Sequence, residues 1–245
     1  MTLLTAAPTL SIEGPQVLYS FELFGMTHHL TASVVGQWIV MVPLAILFLV
    51  LGLNLKVKPE TKKQALAEMI VKMFDGMVRD SMGPRYFAYG PYIGALFMYS
   101  MALSFSSFIG LFPPTGDISV IGAWGLLTFV LVQVNRFSSG GFVGGFKSFT
   151  QPIFFMTPSN LISEISNPVS QSFRHYGNIL AGVVIGGLLF WALEVFIVVP
   201  LLVPVPFSLY FDLFLGLLQA FVFASLTMVY IAMAECEPHV PKSKN

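Results

Sequence analysis

The sequence predicts an all-α polytopic membrane protein: five transmembrane helices plus one amphipathic surface helix, with a long, strongly tilted helix carrying a central arginine. Three observations predict it. Of 245 residues, 56% are hydrophobic and only 10% charged, against about 25% charged in a soluble domain. So little charge cannot keep the chain dissolved in water, and its solvent must be lipid. Several apolar runs reach the roughly 20 residues a helix needs to cross a hydrocarbon core about 30 Å thick. The basic residues, finally, gather in a few connections instead of being spread along the chain. A net charge of zero offers nucleic acid no bulk attraction. Cys236, the sole cysteine, supports neither a disulfide framework nor a thiolate metal site, and no cofactor is expected. No repeat, low-complexity tract or linker divides the chain, so residues 1–245 read as a single membrane domain.

Residues 1–33 read as an outer amino-terminal segment. No Lys or Arg precedes its apolar residues, which argues against a cleavable signal peptide. The first span is 34–55. Over 60–82 the pattern changes: Leu66, Met69, Ile70, Met73 and Met77 recur at helical spacing, with Lys62, Lys63, Glu68, Lys72, Asp75 and Arg79 elsewhere. Glu68–Lys72 and Asp75–Arg79 are i,i+4 pairs of opposite charge, which support an exposed helix face. Burying those charges at the bilayer centre would cost about 2.5 to 3.5 kcal/mol each, so this helix is expected to lie on the membrane surface. Spans come next at 92–112 and 117–135, the latter bounded by Asp117 and Asn135. The segment 157–199 would extend about 60 Å as a helix, too long for an upright crossing. A strongly tilted helix is expected there, bent at Pro168, with Pro200, Pro204 and Pro206 closing the far turn. The last span covers 204–234, and 235–245 is the tail.

Basic residues set the orientation. Lys56, Lys58, Lys62, Lys63, Lys72, Arg79 and Arg85 fall between the first two spans. Arg136 and Lys147 follow the third, and Lys242 and Lys244 close the chain. Residues 1–33, 111–118 and 200–206 contain none. Five crossings with the amino terminus outside and the carboxyl terminus inside place all eleven on one side. Arg174 alone stands inside an apolar segment that no loop claims.

An arginine within a membrane span is costly and marks a functional site by default. It cannot escape by losing its proton, because its pKa lies above about 12. The plain alternative is a snorkelling or ion-paired structural arginine, but Arg174 is too central in its segment to snorkel. Around it Asn160, Ser163, Glu164, Asn167, Gln171 and Asn178 recur mostly every three or four residues, making one polar stripe on an apolar helix. Lipid cannot satisfy such a stripe. Interhelical hydrogen bonding accounts for its Asn and Ser members better than for a Glu and an Arg. Gly182 and Gly186 form a small-xxx-small pair suited to close packing. A second stripe in the last span runs Asp212, Gly216, Gln219, Phe223, Thr227, Tyr230; Asp212 is either a satisfied structural carboxylate or part of a wet path with Gln219. Glu164 lies towards the inside, Asp212 towards the outside, and Arg174 between them. Two polar entrances that each reach partway, separated by a permanent positive charge, prevent straight-through leakage. A cation would pass only on a mobile carboxylate, driven to ionise near Arg174. Nothing in this chain supplies that carrier, so a partner must.

The segment Leu161-Ile-Ser-Glu-Ile-Ser-Asn-Pro-Val-Ser-Gln-Ser-Phe-Arg174-His-Tyr-Gly-Asn178-Ile-Leu-Ala-Gly182 resembles the signature of F-type ATP synthase subunit a. So does Leu217-Leu-Gln219-Ala-Phe-Val-Phe-Ala-Ser-Leu-Thr-Met-Val-Tyr230. The resemblance runs from about Val34 to Ala234. It implies a stator subunit facing a rotating c-subunit ring, held by peripheral-stalk b subunits in the lipid bilayer, with no bond chemistry of its own. It implies that Arg174 is the essential charge between two aqueous half-channels that load and unload an ion on ring carboxylates, H⁺ being the commoner ion in the family and Na⁺ the alternative. Glu164, Asn178, Asp212 and Gln219 match positions proposed to line those channels. The sequence departs from the family where Leu and an apolar residue usually follow the arginine; here they are His175 and Tyr176. His175 either joins the path or simply packs. Nine residues after the arginine, where many relatives carry Glu or His, stands Val183, which shifts the outer half-channel towards Asp212. Glu194 is a further candidate, or an ordinary interfacial charge. The implied location is a bacterial plasma membrane. A stand-alone cation-coupled secondary transporter is the alternative reading, although such proteins commonly show paired halves and none is visible here; a structural membrane scaffold is the third.

Overall fold

The amino-terminal segment departs from the purely helical expectation. In a computed structural model that describes residues 16–23, 25–57, 61–106, 114–151, 153–193, 206 and 209–234, strands β1 (Val17–Leu23) and β2 (Met26–Thr31) pair antiparallel from Val17↔Thr31 to Leu23↔Met26. The turn needs a left-handed residue, and Gly25 takes φ 74° at no steric cost. The hairpin is joined to the first helix by Ala32 N donating to Gln16 O at 2.8 Å.

Helix α1 (Ala32–Gly52) is apolar apart from Ser33 and Gln37 in its first two turns. At its start Thr31 Oγ1 donates to Asp117 Oδ2 at 3.3 Å, and Asp117 Oδ1 accepts from Ser119 N at 2.9 Å, capping the start of α4 (Ile118–Ser148). One carboxylate thereby holds the beginnings of two helices together. Helix α2 (Lys62–Met82) is capped by Thr61, whose hydroxyl accepts from Gln64 N at 3.3 Å, and closed by Gly83 at φ 93°. Its protein-facing side is Phe74 and Val78, whereas Leu66, Met69 and Met73 of the expected apolar stripe stay exposed. A tight turn at Pro84–Tyr89 leads into α3 (Gly90–Phe105).

Helix α4 does not stop near Asn135. It runs 31 residues to Ser148, interrupted where Gly141 adopts φ 63° and ψ −179°. Arg136, expected in a loop, therefore stands inside a helix and is only 6% exposed. Helix α5 (Thr157–Leu193) is continuous through Pro168 for 37 residues, about 55 Å at 1.5 Å per residue. A π-helical turn at Leu209–Leu215 opens onto α6 (Gly216–Met233). Among the described residues, three helices are long and apolar enough to cross a membrane: Ala32–Gly52, Ile118–Ser148 and Leu213–Met233.

The core forms around α6. Its Ala224, Met228 and Ile231 pack with Val78 of α2, Tyr86, Ile93 of α3 and Val132 of α4. Small residues set the spacing. A Cβ on Gly216 would stand 2.6 Å from the Ser104 Cβ of α3, inside any tolerated contact. Gly216→Ala is expected to destabilise the fold by about 1 to 3 kcal/mol through overpacking, read as a lower thermal midpoint in detergent. Adding Ser104→Gly should recover part of the loss.

Candidate functional site

Arg174 lies on α5 with its side chain exposed, and makes no hydrogen bond or ion pair with the described side chains. The same edge of the helix carries Ser170, Gly177 and Ala181, all exposed and small. A guanidinium cannot shed its charge, and hydrocarbon cannot solvate it. On a helix that crosses a bilayer, an outward arginine among small residues calls for water or for a partner that packs closely and brings a compensating group.

The polar stripe of α5 is divided by the fold. While Arg174 faces outward, Gln171 and His175 turn inward against α4 and α6. Gln171 Nε2 donates to Phe223 O at 2.9 Å and to Thr227 Oγ1 at 3.0 Å. Two turns further along, Asn178 Nδ2 donates to Gln219 Oε1 at 2.7 Å. These three amide hydrogen bonds, one to a backbone carbonyl and two to side chains, lock α5 to α6 just behind the arginine. His175 sits between them, fully buried, with its ring edge-on to Trp124 of α4 (centroids 5.9 Å) and Phe223 of α6 (5.7 Å). On the α4 side Ser172 Oγ donates to Ile121 O at 3.2 Å and to Pro168 O at 3.0 Å.

Where α4 ends and α5 begins, a polar cavity of about 410 Å³ opens among Arg136, Gln151, Asn160, Ser163, Glu164 and Asn167. Glu164 is ion-paired to Arg136 and accepts from Gln133 Nε2 at 2.7 Å, while the Arg136 guanidinium lies 4.2 Å over the Phe149 ring. The sequence points to Glu164 but not to these partners. A signal for them is present in the i,i+3 spacing of Gln133 and Arg136, which continues one helix face past Asn135.

The structure thus brings Asn178 to Gln219, sets Glu164 in a separate polar cavity, and bonds Arg174 to neither. Asp212 falls within the π-helical turn at Leu209–Leu215. Glu194 lies outside the described residues. Among the described residues no three His, Cys, Asp or Glu side chains converge to hold a metal ion.

Residues 34–232, which include both faces of this seam, match the family model described as ATP synthase A chain. The chain is 34% identical to the ATP synthase subunit a, sodium ion specific, of Propionigenium modestum, over 90% of its length and 84% of that protein. It is also 34% identical to the ATP synthase subunit a of Moorella thermoacetica, over 82% of this chain and 89% of the other. With the chloroplastic ATP synthase subunit a of Stigeoclonium helveticum it shares 29% identity over 90% and 91% of the two chains.

The Arg136–Glu164 pair has a measurable signature. Removing one member leaves a desolvated charge, so Arg136→Gln is expected to cost roughly 3 kcal/mol of stability. The double variant Arg136→Met/Glu164→Leu, which removes both charges, should recover most of that loss in a thermal-denaturation cycle.

Proposed function

The chain belongs to the ATP synthase A chain family, and on that premise we propose that Arg174 is the fixed charge separating two aqueous half-channels through which ions reach and leave a neighbouring rotor. At the coarser level the family establishes an ion-translocating membrane subunit of the ATP synthase, which performs no chemical catalysis by itself.

The observation that carries the half-channel reading is the division of α5. A permanent charge faces outward without a partner among the described side chains, backed by the Gln171 and Asn178–Gln219 contacts that hold it in place. The partner would be a c-subunit ring whose carboxylates pass Arg174 one at a time. An approaching carboxyl group meets the guanidinium, which lowers its pKa and favours ionisation. Once past, it enters the other half-channel and is neutralised again. The cavity at Glu164, rimmed by Asn160, Ser163 and Asn167, is suited to be the inner half-channel. Asp212, at the other end of the last helix, is proposed for the outer one, with Glu194 as a further candidate there. His175 serves the seam and not the path.

Peripheral-stalk b subunits would hold the protein against the drag of the ring. Five crossings are proposed, α2 lying on the inner surface, with the amino terminus outside and the carboxyl terminus in the cytoplasm of a bacterial plasma membrane. The ion is proposed to be H⁺; likeness to a subunit named as sodium ion specific supports Na⁺ as the second reading.

In the assembled complex, Arg174→Ala is expected to abolish ion-coupled ATP synthesis while the detached soluble sector still hydrolyses ATP. Normal coupled synthesis by that variant would overturn the proposal. ATP-driven pumping measured across a sodium titration should be unaffected if the ion is H⁺, and should need sodium if it is Na⁺.

A further inference from the structure

The seam behind Arg174 contains more hydrogen-bonding capacity than its helices satisfy. Gln171, His175 and Gln219 are 1%, 0% and 2% exposed. Each of the two glutamines uses only half of its amide: Gln171 donates through Nε2 and Gln219 accepts through Oε1. Gln171 Oε1, Gln219 Nε2 and both ring nitrogens of His175 have no hydrogen-bond partner among the described residues. Buried polar atoms are rarely left so, because each forfeits the hydrogen bonds it would make with water. Four in one seam is a concentration that packing alone does not explain.

We propose that α4, α5 and α6 enclose an internal hydration site in which His175 is linked through water to Gln171 on one side and to Gln219 on the other. The donor and acceptor set selects the ligand. A neutral imidazole offers one N–H and one acceptor nitrogen, Gln171 Oε1 only accepts, and Gln219 Nε2 only donates. Water matches this set because it does both: one molecule accepts from the imidazole N–H and donates to Gln171 Oε1. A second donates to the other ring nitrogen and accepts from Gln219 Nε2. Each then makes at least two bonds, within the usual number for a buried water. A bare cation would be repelled by the Gln219 N–H, and an anion by Gln171 Oε1. The rings of Trp124 and Phe223 pack against the imidazole at near-perpendicular angles and offer it no conventional hydrogen-bond partner.

The bound water makes His175 a positioning residue. Through the second water it fixes which way the Gln219 amide turns, and so keeps Oε1 towards Asn178 at the level of Arg174. This goes beyond the half-channel reading, and its primary readout is independent of it.

The test is a cryo-electron microscopy map of the whole ATP synthase at a resolution that shows ordered water. Density within about 3.2 Å of a His175 ring nitrogen and of the Gln171 or Gln219 amide supports the site. A dry seam, with the ring nitrogens bonded directly to protein groups, overturns it. A variant pair then tests positioning. Ion pumping per assembled complex should fall roughly tenfold in His175→Leu, which fills the space without hydrogen bonds. In His175→Gln, which keeps a donor and an acceptor, it should stay within about twofold. Equal pumping by both would show that only volume matters and would overturn the positioning role. The map needs no variant, so it decides on the water even if the leucine chain fails to assemble.

Discussion

In the proposed function, a guanidinium that cannot release its proton, held where lipid cannot solvate it, is the constraint on which the rest of the architecture depends. Asp, Glu, His and Lys side chains could become neutral at such a depth; an arginine such as Arg174 cannot. Its helix must therefore be held so that the charge meets a suitable environment on one side only. The opposite side has to be closed by groups that need neither lipid nor bulk water. Amides satisfy that requirement, because they form strong hydrogen bonds without adding a charge. Gln171 and Asn178, about two turns apart, bond to α6 at Phe223, Thr227 and Gln219. Small residues complete the arrangement by letting backbones approach, as Gly216 does against Ser104 and Gly125 against Pro168 O, where an added Cβ would sit 3.0 Å away.

Charge is handled differently at the two levels of the molecule. Near the start of α5 a carboxylate and a guanidinium neutralise each other within the chain, with Gln133 and the Phe149 ring completing the shell. Ten residues along the same helix a second guanidinium faces outward. The contrast separates a cation that builds the fold from one that, in the proposed function, is presented to a partner. Both sit beside apolar sequence, and only the geometry of their neighbours tells them apart.

Much of this was legible in the sequence where the signal is local. Arg174 stood out because a charge inside an apolar run needs no knowledge of its partners to be recognised. The helical segments emerged from period and from Pro and Gly punctuation. The hairpin at Val17–Thr31 was hidden because Val17, Leu18, Tyr19 and Phe21 are all exposed, so the strand lacks the alternation that a half-buried one shows. Arg136 was misplaced because its burial depends on Glu164, 28 residues away, and a window of hydropathy sees only the polar dip after Asn135. His175 could be read either way for the same reason: its surroundings come from Trp124 and Phe223, on two other helices.

The bonds that fasten α5 also have a mechanical meaning. Those to Gln133, Arg136, Ile121, Phe223 and Gln219 involve Glu164, Ser172, Gln171 and Asn178, all in the first two thirds of a helix about 55 Å long. On the proposed function, a body sliding past Arg174 would push α5 sideways. These fastenings, with the Asn160 bonds to Phe149 O and Gln151 O nearer the start of the helix, would share that push as a shear load across several short contacts. The end of the helix towards Leu193 has no such side-chain bond among the described residues and can yield without moving the charge.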